Sequence, residues 1–274
     1  MNDWLPFIPC AASAVLLVAS IFLLRPFFRN SVRIKGLWKP TRLARPLIHV
    51  LDGCAVLAIA LLFAAVFFVL KHYAPPDEEL PALTVWGLLL TMGMSLVWVA
   101  PAAALLYRDG ATLETLFGIR RETAWRDIRL GLRYGVMMLC PVFLTSLLTF
   151  AFFTLFGLPA QTQGGILQLA NSEVPLVLRA TLGVVLFTFI PVVEEVAFRG
   201  ILLPAFARVE PWRMLMIGQA VLFSAIHCNA FAAPALFVAG LCFGLGYTRT
   251  RSVLTPIAMH AVFNFNAVLL AFAS

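Results

Sequence analysis

The sequence predicts an all-α fold, a polytopic transmembrane bundle of about eight helices, and three observations lead to this prediction. Hydrophobic residues make up 62% of the 274 residues and charged residues only 12%, a composition far from that of a soluble domain. The apolar residues fall into eight stretches, each close to the ~20 residues that cross a bilayer. Basic residues gather in the loops between alternate stretches, as expected of helices that cross a membrane in turn.

Three apolar stretches come first, at 5–24, 47–70 and 82–107. The first follows "MNDW", which has no Lys or Arg, and a basic cluster comes after it. Because this order is the reverse of a cleavable signal peptide, we expect a retained span. The second stretch carries His49 and Asp52 near one end, where contact with lipid headgroups accounts for both.

Five more apolar stretches follow an arginine-rich segment, 111–133, that we expect to lie at the membrane surface. They are found at 134–157, 175–207, 213–230, 231–248 and 252–273. Glycines recur four residues apart, as Gly131 with Gly135 and as Gly240 with Gly244. This spacing lets membrane helices approach closely, so we assign these glycines to helix packing.

The charge distribution predicts the orientation of the chain. Of the 20 Lys and Arg residues, 18 fall on one side of the predicted membrane, and only Lys71 and Arg179 fall on the other. Basic loops stay in the cytoplasm, so the net charge of +7 reflects topology and indicates no nucleic-acid partner. We expect an integral, multi-pass protein of a bacterial cell membrane with both termini outside the cytoplasm.

Polar side chains inside the last four spans form the candidate site. They are Glu194, Glu195, Arg199, His227, His260, Asn264 and Asn266. Such groups are costly in hydrocarbon unless they are paired or used. At a rise of 1.5 Å per residue, Glu194, His227 and Asn264 lie roughly 20 Å from the basic ends of their helices and His260 about 13 Å. The predicted depths are therefore similar.

Spacing gives the two adjacent glutamates different surroundings. Glu195 and Arg199 are four residues apart and can pair on one helix face, whereas Glu194 is rotated by about 100° and can face the next helices. This geometry requires the fifth helix to continue past Leu203. A break near Gly200 would place Glu194 at a shallower depth.

Three ordered motifs resemble one family. The stretches "EEVAFR" (194–199), "FSAIH" (223–227) and "HAVFN" (260–264) are similar to the EExxxR, FxxxH and HxxxN/D motifs of the CPBP family, which includes the CAAX prenyl proteases and bacteriocin-processing or immunity-associated proteins. The resemblance covers residues 125–272. Residues 1–110 show no specific likeness, and we expect 1–274 to form a single membrane domain.

The resemblance implies an intramembrane glutamic endopeptidase without metal or cofactor. Glu194 would be the general base that activates water, with His227 beside it. His260 and Asn264 would stabilise the oxyanion, while Glu195 and Arg199 would brace the site. The physical chemistry agrees, because preorganised donors are worth most where water is scarce. The implied partners are the lipid bilayer and a peptide or protein substrate, for which a prenylated C-terminus, a leader peptide and a membrane protein are all open.

Other functions are compatible with parts of this pattern. Glu and His are zinc ligands, but no HExxH occurs and the candidates lie on three helices. A serine nucleophile is disfavoured because the GxSxG motif does not occur in the sequence. A cysteine nucleophile is disfavoured because, on a helix, Cys228 would point about 100° away from His227. A transporter would suit the buried Glu and His, yet the halves show no inverted repeat. A non-catalytic scaffold or immunity protein is the remaining alternative.

Overall fold

A computed structural model of the chain describes residues 13–20, 48–73, 96–97, 99–160, 163–207 and 212–273. Every regular element within these residues is helical, which confirms the all-α prediction. In chain order the elements are α1 Val50–Tyr73, α2 Leu113–Phe117, α3 Arg121–Leu155, α4 Gly164–Ala170, α5 Leu176–Glu195, a π-helical segment Val196–Leu202, α6 Leu203–Phe206, α7 Trp212–Ala225, α8 Ala233–Thr250 and α9 Leu254–Ala273. Residues 13–20 and 99–105 are also helical and belong to the first and third predicted spans.

Three of the described helical stretches are long and apolar enough to cross a membrane: Leu113–Leu155, Leu176–Phe206 and Leu254–Ala273. Val50–Ile59 and Met214–Ala225 are apolar but shorter. These stretches support an integral membrane protein. The remaining parts of the first and third predicted spans lie outside the described residues.

The fourth span differs from its predicted start. Helix α3 begins at Arg121, so most of the arginine-rich segment continues directly into the apolar helix. The preceding turn is formed by α2, whose N-cap Thr112 and Thr115 form a capping box and whose C-cap Gly118 is left-handed at φ 69°. Only a residue without Cβ adopts this conformation at no steric cost. The surface segment thus becomes a short capped helix followed by a long helix.

Helices α3 and α9 approach each other closely, and glycine allows it. A Cβ on Gly131 would meet the Thr255 carbonyl oxygen and the Cβ of Ala258, and a Cβ on Gly135 would lie 2.8 Å from the Cβ of Val262. These are backbone approaches that no side chain could accommodate. The predicted packing role of these glycines is confirmed.

Gly240 and Gly244 have the same role between α7 and α8. Cβ atoms on them would lie 3.1 Å from Ala220 Cα and 2.9 Å from Met216 Sδ, respectively. Position 240 faces 220 while 244 faces 216, so α7 and α8 are antiparallel. The predicted packing role is confirmed here too.

A residue of the first span compensates for the backbone hydrogen bond that a proline removes from α3. Pro141 lacks an N–H, so the Met137 carbonyl four residues earlier loses its helical donor. The Ser20 hydroxyl donates to Met137 O at 2.9 Å and accepts from the Cys140 N–H at 2.9 Å. Backbone groups in lipid need hydrogen-bond partners. The two hydrogen bonds of Ser20 also connect the segment 13–20 to α3.

Asp52 does not reach toward lipid headgroups as expected. Its carboxylate accepts two hydrogen bonds from the Arg108 guanidinium, at 2.6 and 2.8 Å, and one from the His49 N–H at 2.7 Å. The Asp52 side chain is only 13% exposed. A planar guanidinium matches a carboxylate in this bidentate way. The expected contact of Asp52 with lipid headgroups is replaced by an ion pair. The sequence did not indicate this pair because Arg108 lies 56 residues away along the chain.

The helix ends define two faces of the bundle. In α5, Gly183 lies against Val268 and Glu195 against His260, so α5 and α9 are antiparallel. Since α3 and α9 are parallel, both begin at the face where α5 and α8 end, as alternating spans require. We call this the basic face; it carries Arg120, Arg121, Arg126, Arg249 and Arg251. The opposite face, which we call the distal face, holds α4, the α7–α8 loop and the end of α9.

Replacing Gly131 by alanine should lower stability. Alanine favours a helix over glycine by about 1 kcal/mol, but here its methyl group would push α3 away from the Thr255 backbone. Gly218→Ala on α7 is the matched control, because nothing lies within 4 Å of its added Cβ. Thermal unfolding in detergent should show a lower Tm for Gly131→Ala and an unchanged or higher Tm for Gly218→Ala. Equal shifts in the two variants would refute the close contact.

Candidate active site

A fully buried ion pair forms the centre of the site. Arg199 Nη1 donates to Glu195 Oε1 at 2.8 Å, as the four-residue spacing predicted, and both side chains are 0% exposed. Arg199 Nη2 donates to the Gly240 carbonyl of α8 at 2.9 Å. Three aromatic rings surround the guanidinium, at 4.9 to 5.6 Å from their centroids: Phe223, Phe243 and Phe198. Pairing, a backbone acceptor and cation–π contacts together stabilise the charge.

The helix that carries this pair changes its winding and does not break. After Glu195 the chain forms the π-helical segment Val196–Leu202, and the Leu203 N–H donates to Phe198 O, five residues back. Of the two alternatives that the sequence left open, continuation past Leu203 or a break near Gly200, the structure shows continuation. The rise of 1.5 Å per residue that was used to estimate the depth of Glu194 does not hold for this segment, because a π-helix is wound more widely than an α-helix. A Cβ on Gly200 would lie 3.0 Å from Phe117, so α2 packs directly on this segment.

His260 is held against the ion pair. Its Nδ1 lies 3.0 Å from Glu195 Oε1, and its ring stacks on Phe243 at 4.6 Å with an interplanar angle of 21°. An ionised carboxylate only accepts hydrogen bonds, so Nδ1 carries a proton. The other ring nitrogen, Nε2, lies 3.9 Å from Glu194 Oε2. That distance is too long for a direct hydrogen bond.

Glu194 lies at the edge of a cavity. Its side chain is 19% exposed and lines a cavity. Its Oε2 atom has no hydrogen-bond partner within the described residues. The two adjacent glutamates therefore have the different surroundings that their helical spacing predicted: Glu195 pairs with Arg199 and is fully buried, whereas Glu194 is partly exposed and lines the cavity.

His227 lies in a turn, not on a helix as predicted. Helix α7 ends at Ala225, and Cys228 has a left-handed backbone with φ 48°. The prediction that Cys228 points about 100° from His227 on a helix is therefore wrong. The His227 Nδ1 lies 2.7 Å from the Phe223 carbonyl, which can only accept, so Nδ1 is protonated and Nε2 is left for the cavity.

Asn229 shapes this turn, a role that the sequence analysis missed. Its side-chain oxygen accepts the Ala232 N–H at 2.9 Å, and its backbone oxygen accepts the Ala233 N–H at 2.9 Å. An Asn side chain that bonds a nearby backbone N–H is a typical turn and cap signal. The sequence analysis missed this turn signal because Asn229 lies inside the apolar stretch 213–230, which was predicted to be a span.

Asn264 is oriented by α5. Its Nδ2 donates to the Leu186 carbonyl at 2.7 Å. Since a carbonyl accepts only, this contact fixes which end of the amide is nitrogen. One N–H and the Oδ1 of Asn264 remain for the cavity that it lines.

One cavity of about 600 Å³ brings the four predicted catalytic residues together. Glu194, His227, His260 and Asn264 all line it, while Glu195 and Arg199 lie behind the wall. The rest of the wall is mainly apolar and comes from α3, α4, α5, the α7–α8 loop, α8 and α9. Asn266, which had no predicted role, lines the cavity and accepts a hydrogen bond from Ser13 at 2.7 Å.

The positions of the candidate ligands bear on the zinc alternative. Among the residues that the structure describes, no three His, Cys, Asp or Glu side chains are grouped so that they could hold a metal ion. Glu194 and His260 do approach each other, with the distance of 3.9 Å given above.

Comparison with known proteins identifies one family. Residues 176–266 match the family described as type II CAAX prenyl endopeptidase Rce1-like. No curated protein and no solved structure gives a significant match. The matched segment runs from the first residue of α5 to Asn266 in α9 and contains all three sequence motifs.

Breaking the buried ion pair should destabilise the protein. Glu195→Gln would leave Arg199 charged and unpaired, which typically costs about 3–5 kcal/mol. Adding Arg199→Met removes the stranded charge, so the double variant should be less destabilised than the sum of the two single variants.

Unfolding in detergent of the two single variants and the double variant measures this coupling. Glu114→Gln is the control, because Glu114 pairs with Arg120 at 2.7 Å on the surface with both side chains more than half exposed. Such pairs contribute about 1 kcal/mol or less. Additive effects of Glu195→Gln and Arg199→Met would contradict the buried pairing.

Proposed function

We propose that this chain, which its family match assigns to the CAAX protease (CPBP) family, hydrolyses a peptide bond in or beside the bilayer with a water molecule activated by Glu194. The family match implies a protease. The observation that carries the proposal is the position of the Glu194 carboxylate in a cavity that it shares with two imidazoles and an amide. Ionisable groups inside a membrane protein are functional candidates by default.

The nucleophile is a water molecule hydrogen-bonded to the Glu194 carboxylate. Glu194 takes one proton from this water as the oxygen attacks the carbonyl carbon of the substrate. The protonated Glu194 then gives the proton to the leaving amine as the C–N bond breaks, so the products are a carboxylic acid and an amine. A single carboxyl group thus acts first as base and then as acid. The His227 imidazole lines the same cavity and lies beside this step in our proposal.

The oxyanion formed by the attack is stabilised by His260 and Asn264. Asn264 has one N–H available after its bond to Leu186 O. Because Nδ1 of His260 donates to Glu195, His260 donates to an oxyanion through Nε2 as an imidazolium. Glu195 and Arg199 are positioning residues in this scheme: they hold the His260 ring but do not line the cavity. Donors held in place before the reaction cost no reorganisation.

The substrate in this proposal is a membrane-associated peptide or protein. The mainly apolar cavity wall fits apolar side chains. Whether the substrate carries a lipid is left to the experiment, in which lipidated and unlipidated reporters of the same sequence are compared.

Glu194→Gln should nearly abolish proteolysis in protein that still folds. Glutamine keeps the shape of the side chain but takes up no proton, and loss of a general base typically lowers the rate by about 100-fold or more. Turnover of a reporter peptide and Tm in detergent are measured on the same preparation. Glu173→Gln, at an exposed position near the distal face, is the control and should keep wild-type turnover. Full activity in Glu194→Gln would refute the assignment of the base.

Removal of metal ions should not affect this protease. The purified protein is expected to hold less than one zinc per chain, and a strong chelator should leave turnover of the reporter peptide intact. Elemental analysis and chelator titration test this directly. One tightly bound zinc per chain, with activity lost on its removal and restored on its return, would establish the zinc alternative instead.

A further inference from the structure

Near its start, helix α3 presents exposed basic and aromatic side chains that the proposed function does not use. Arg129 and Arg133 are both exposed and lie four residues apart, so their side chains are neighbours on one helix face. Trp125, one turn before Arg129, is 65% exposed. The Arg129 guanidinium lies 6.0 Å from the Trp125 ring centroid, a cation–π contact that restricts both side chains. We call Trp125, Arg129 and Arg133 the α3 cluster.

The two arginines of this cluster project away from the helix that packs on α3. Gly131 and Gly135 form the face of α3 that contacts α9. Successive residues of an α-helix are rotated by about 100°, so Arg129 and Arg133, each two positions from one of these glycines, lie on roughly the opposite side. Leu147 follows Arg129 by about five turns, has the same angular position and is 52% exposed. One side of α3 therefore carries basic groups near its start and an apolar surface farther along.

The length of the apolar part of α3 places the α3 cluster at the membrane surface. Arg133 is the last charged residue before the stretch 134–155, which continues α3 to its end without a charged side chain. At 1.5 Å per residue this stretch is about 33 Å long, which matches the ~30 Å hydrocarbon core of a bilayer. With the stretch in the core, Arg133 and Arg129 lie at the level of the lipid headgroups and Trp125 at their outer edge. Long basic side chains and tryptophan are both typical of this interface.

The charges near the α3 cluster favour an anion between its two arginines. Arg120 and Arg126 each donate to a carboxylate. In contrast, Arg129 and Arg133 form no ion pair with any residue that the structure describes. The exposed Glu122 lies two turns before Arg129, about 10 Å away along the helix axis. Because a guanidinium group donates in parallel to two oxygens of one phosphate, two guanidinium groups on one face suit a single phosphate group.

We infer that the α3 cluster binds the headgroup phosphate of an anionic phospholipid. Arg129 and Arg133 hold the phosphate, and Trp125 orients the Arg129 guanidinium through their ring contact. The acyl chains lie along the exposed apolar side of α3 that includes Leu147. This apolar continuation distinguishes a lipid from a soluble anion, and the two positive charges favour an anionic over a zwitterionic headgroup. The inference does not depend on the proposed proteolytic function.

Lipid binding to the purified full-length protein, counted by native mass spectrometry, tests this site. Delipidated protein in a neutral detergent is titrated with phosphatidylglycerol or with phosphatidylcholine that carries the same acyl chains. The double variant Arg129→Gln/Arg133→Gln should bind phosphatidylglycerol about 30-fold more weakly than the wild type, since each arginine at the surface contributes about a factor of five. Its affinity for phosphatidylcholine should not change. Equal affinity of the wild type for the two lipids, or wild-type affinity in the double variant, would overturn the inference.

The matched control is the double variant Arg120→Gln/Arg249→Gln, which removes the same charge from exposed positions outside the α3 cluster. It should keep the wild-type affinity for phosphatidylglycerol. An equal loss in the control would show that net charge attracts the lipid and would overturn the assignment to the cluster. Displacement of the lipid by inorganic phosphate in large excess would likewise contradict a lipid site, because the acyl chains contribute to binding.

Thermal unfolding in detergent provides a second readout of the same site. Without lipid, both double variants should unfold near the wild-type Tm, because all four arginines are exposed. A ligand that binds only the folded protein raises its Tm, so phosphatidylglycerol should raise the Tm of the wild type and of the control. The same lipid should raise the Tm of Arg129→Gln/Arg133→Gln no more than phosphatidylcholine does. An equal rise in all three proteins would contradict the site.

Discussion

The buried ion pair between Glu195 and Arg199 is the interaction on which the rest of the site depends. Two charges without solvent contact are tolerated only if each is compensated, and removing one partner leaves a costly isolated charge. Here the compensation comes from three parts of the bundle: α5 and the π-helical segment that continues it supply the pair, α8 supplies the Gly240 carbonyl and α9 supplies His260. The ion pair therefore links the helices, because each of them supplies a hydrogen-bond partner to Glu195 or Arg199. Once they are linked, the position of the His260 ring relative to Glu194 is set.

Two features of the backbone make this convergence possible. The π-helical segment after Glu195 places Arg199 in the layer of Phe223 and Phe243 while the chain continues as a helix into α6. Gly240 lets α8 approach α7 so closely that its carbonyl accepts from both Arg199 and Gln219, at 2.9 and 3.0 Å. A side chain at position 240 would force the helices apart and lengthen both hydrogen bonds. Helix packing and electrostatics at the centre thus rest on the same residues.

The cavity is assembled from more of the chain than the family match covers. The match ends at Asn266 and begins at α5, yet α3 supplies part of the cavity wall, including Val142 and Ser146. Helix α3 can do so because Gly131 and Gly135 bring it against α9. Its bend-prone Pro141 is supported by Ser20 of the first span, which gives this N-terminal segment a structural role beside the site. The groups that we propose to be catalytic and the space in front of them therefore come from different parts of the sequence.

The sequence by itself determined the helical membrane class, most span limits, the pairing of Glu195 with Arg199 and the different surroundings of Glu194. These follow from composition and from helical periodicity, which act over a few residues. Only the tertiary structure decided the partner of Asp52, the turn that holds His227 and the change of winding after Glu195. Each of these depends on contacts between residues far apart in the chain or on a local backbone alternative of similar energy. A periodic pattern carries no information about either, because it describes one helix at a time.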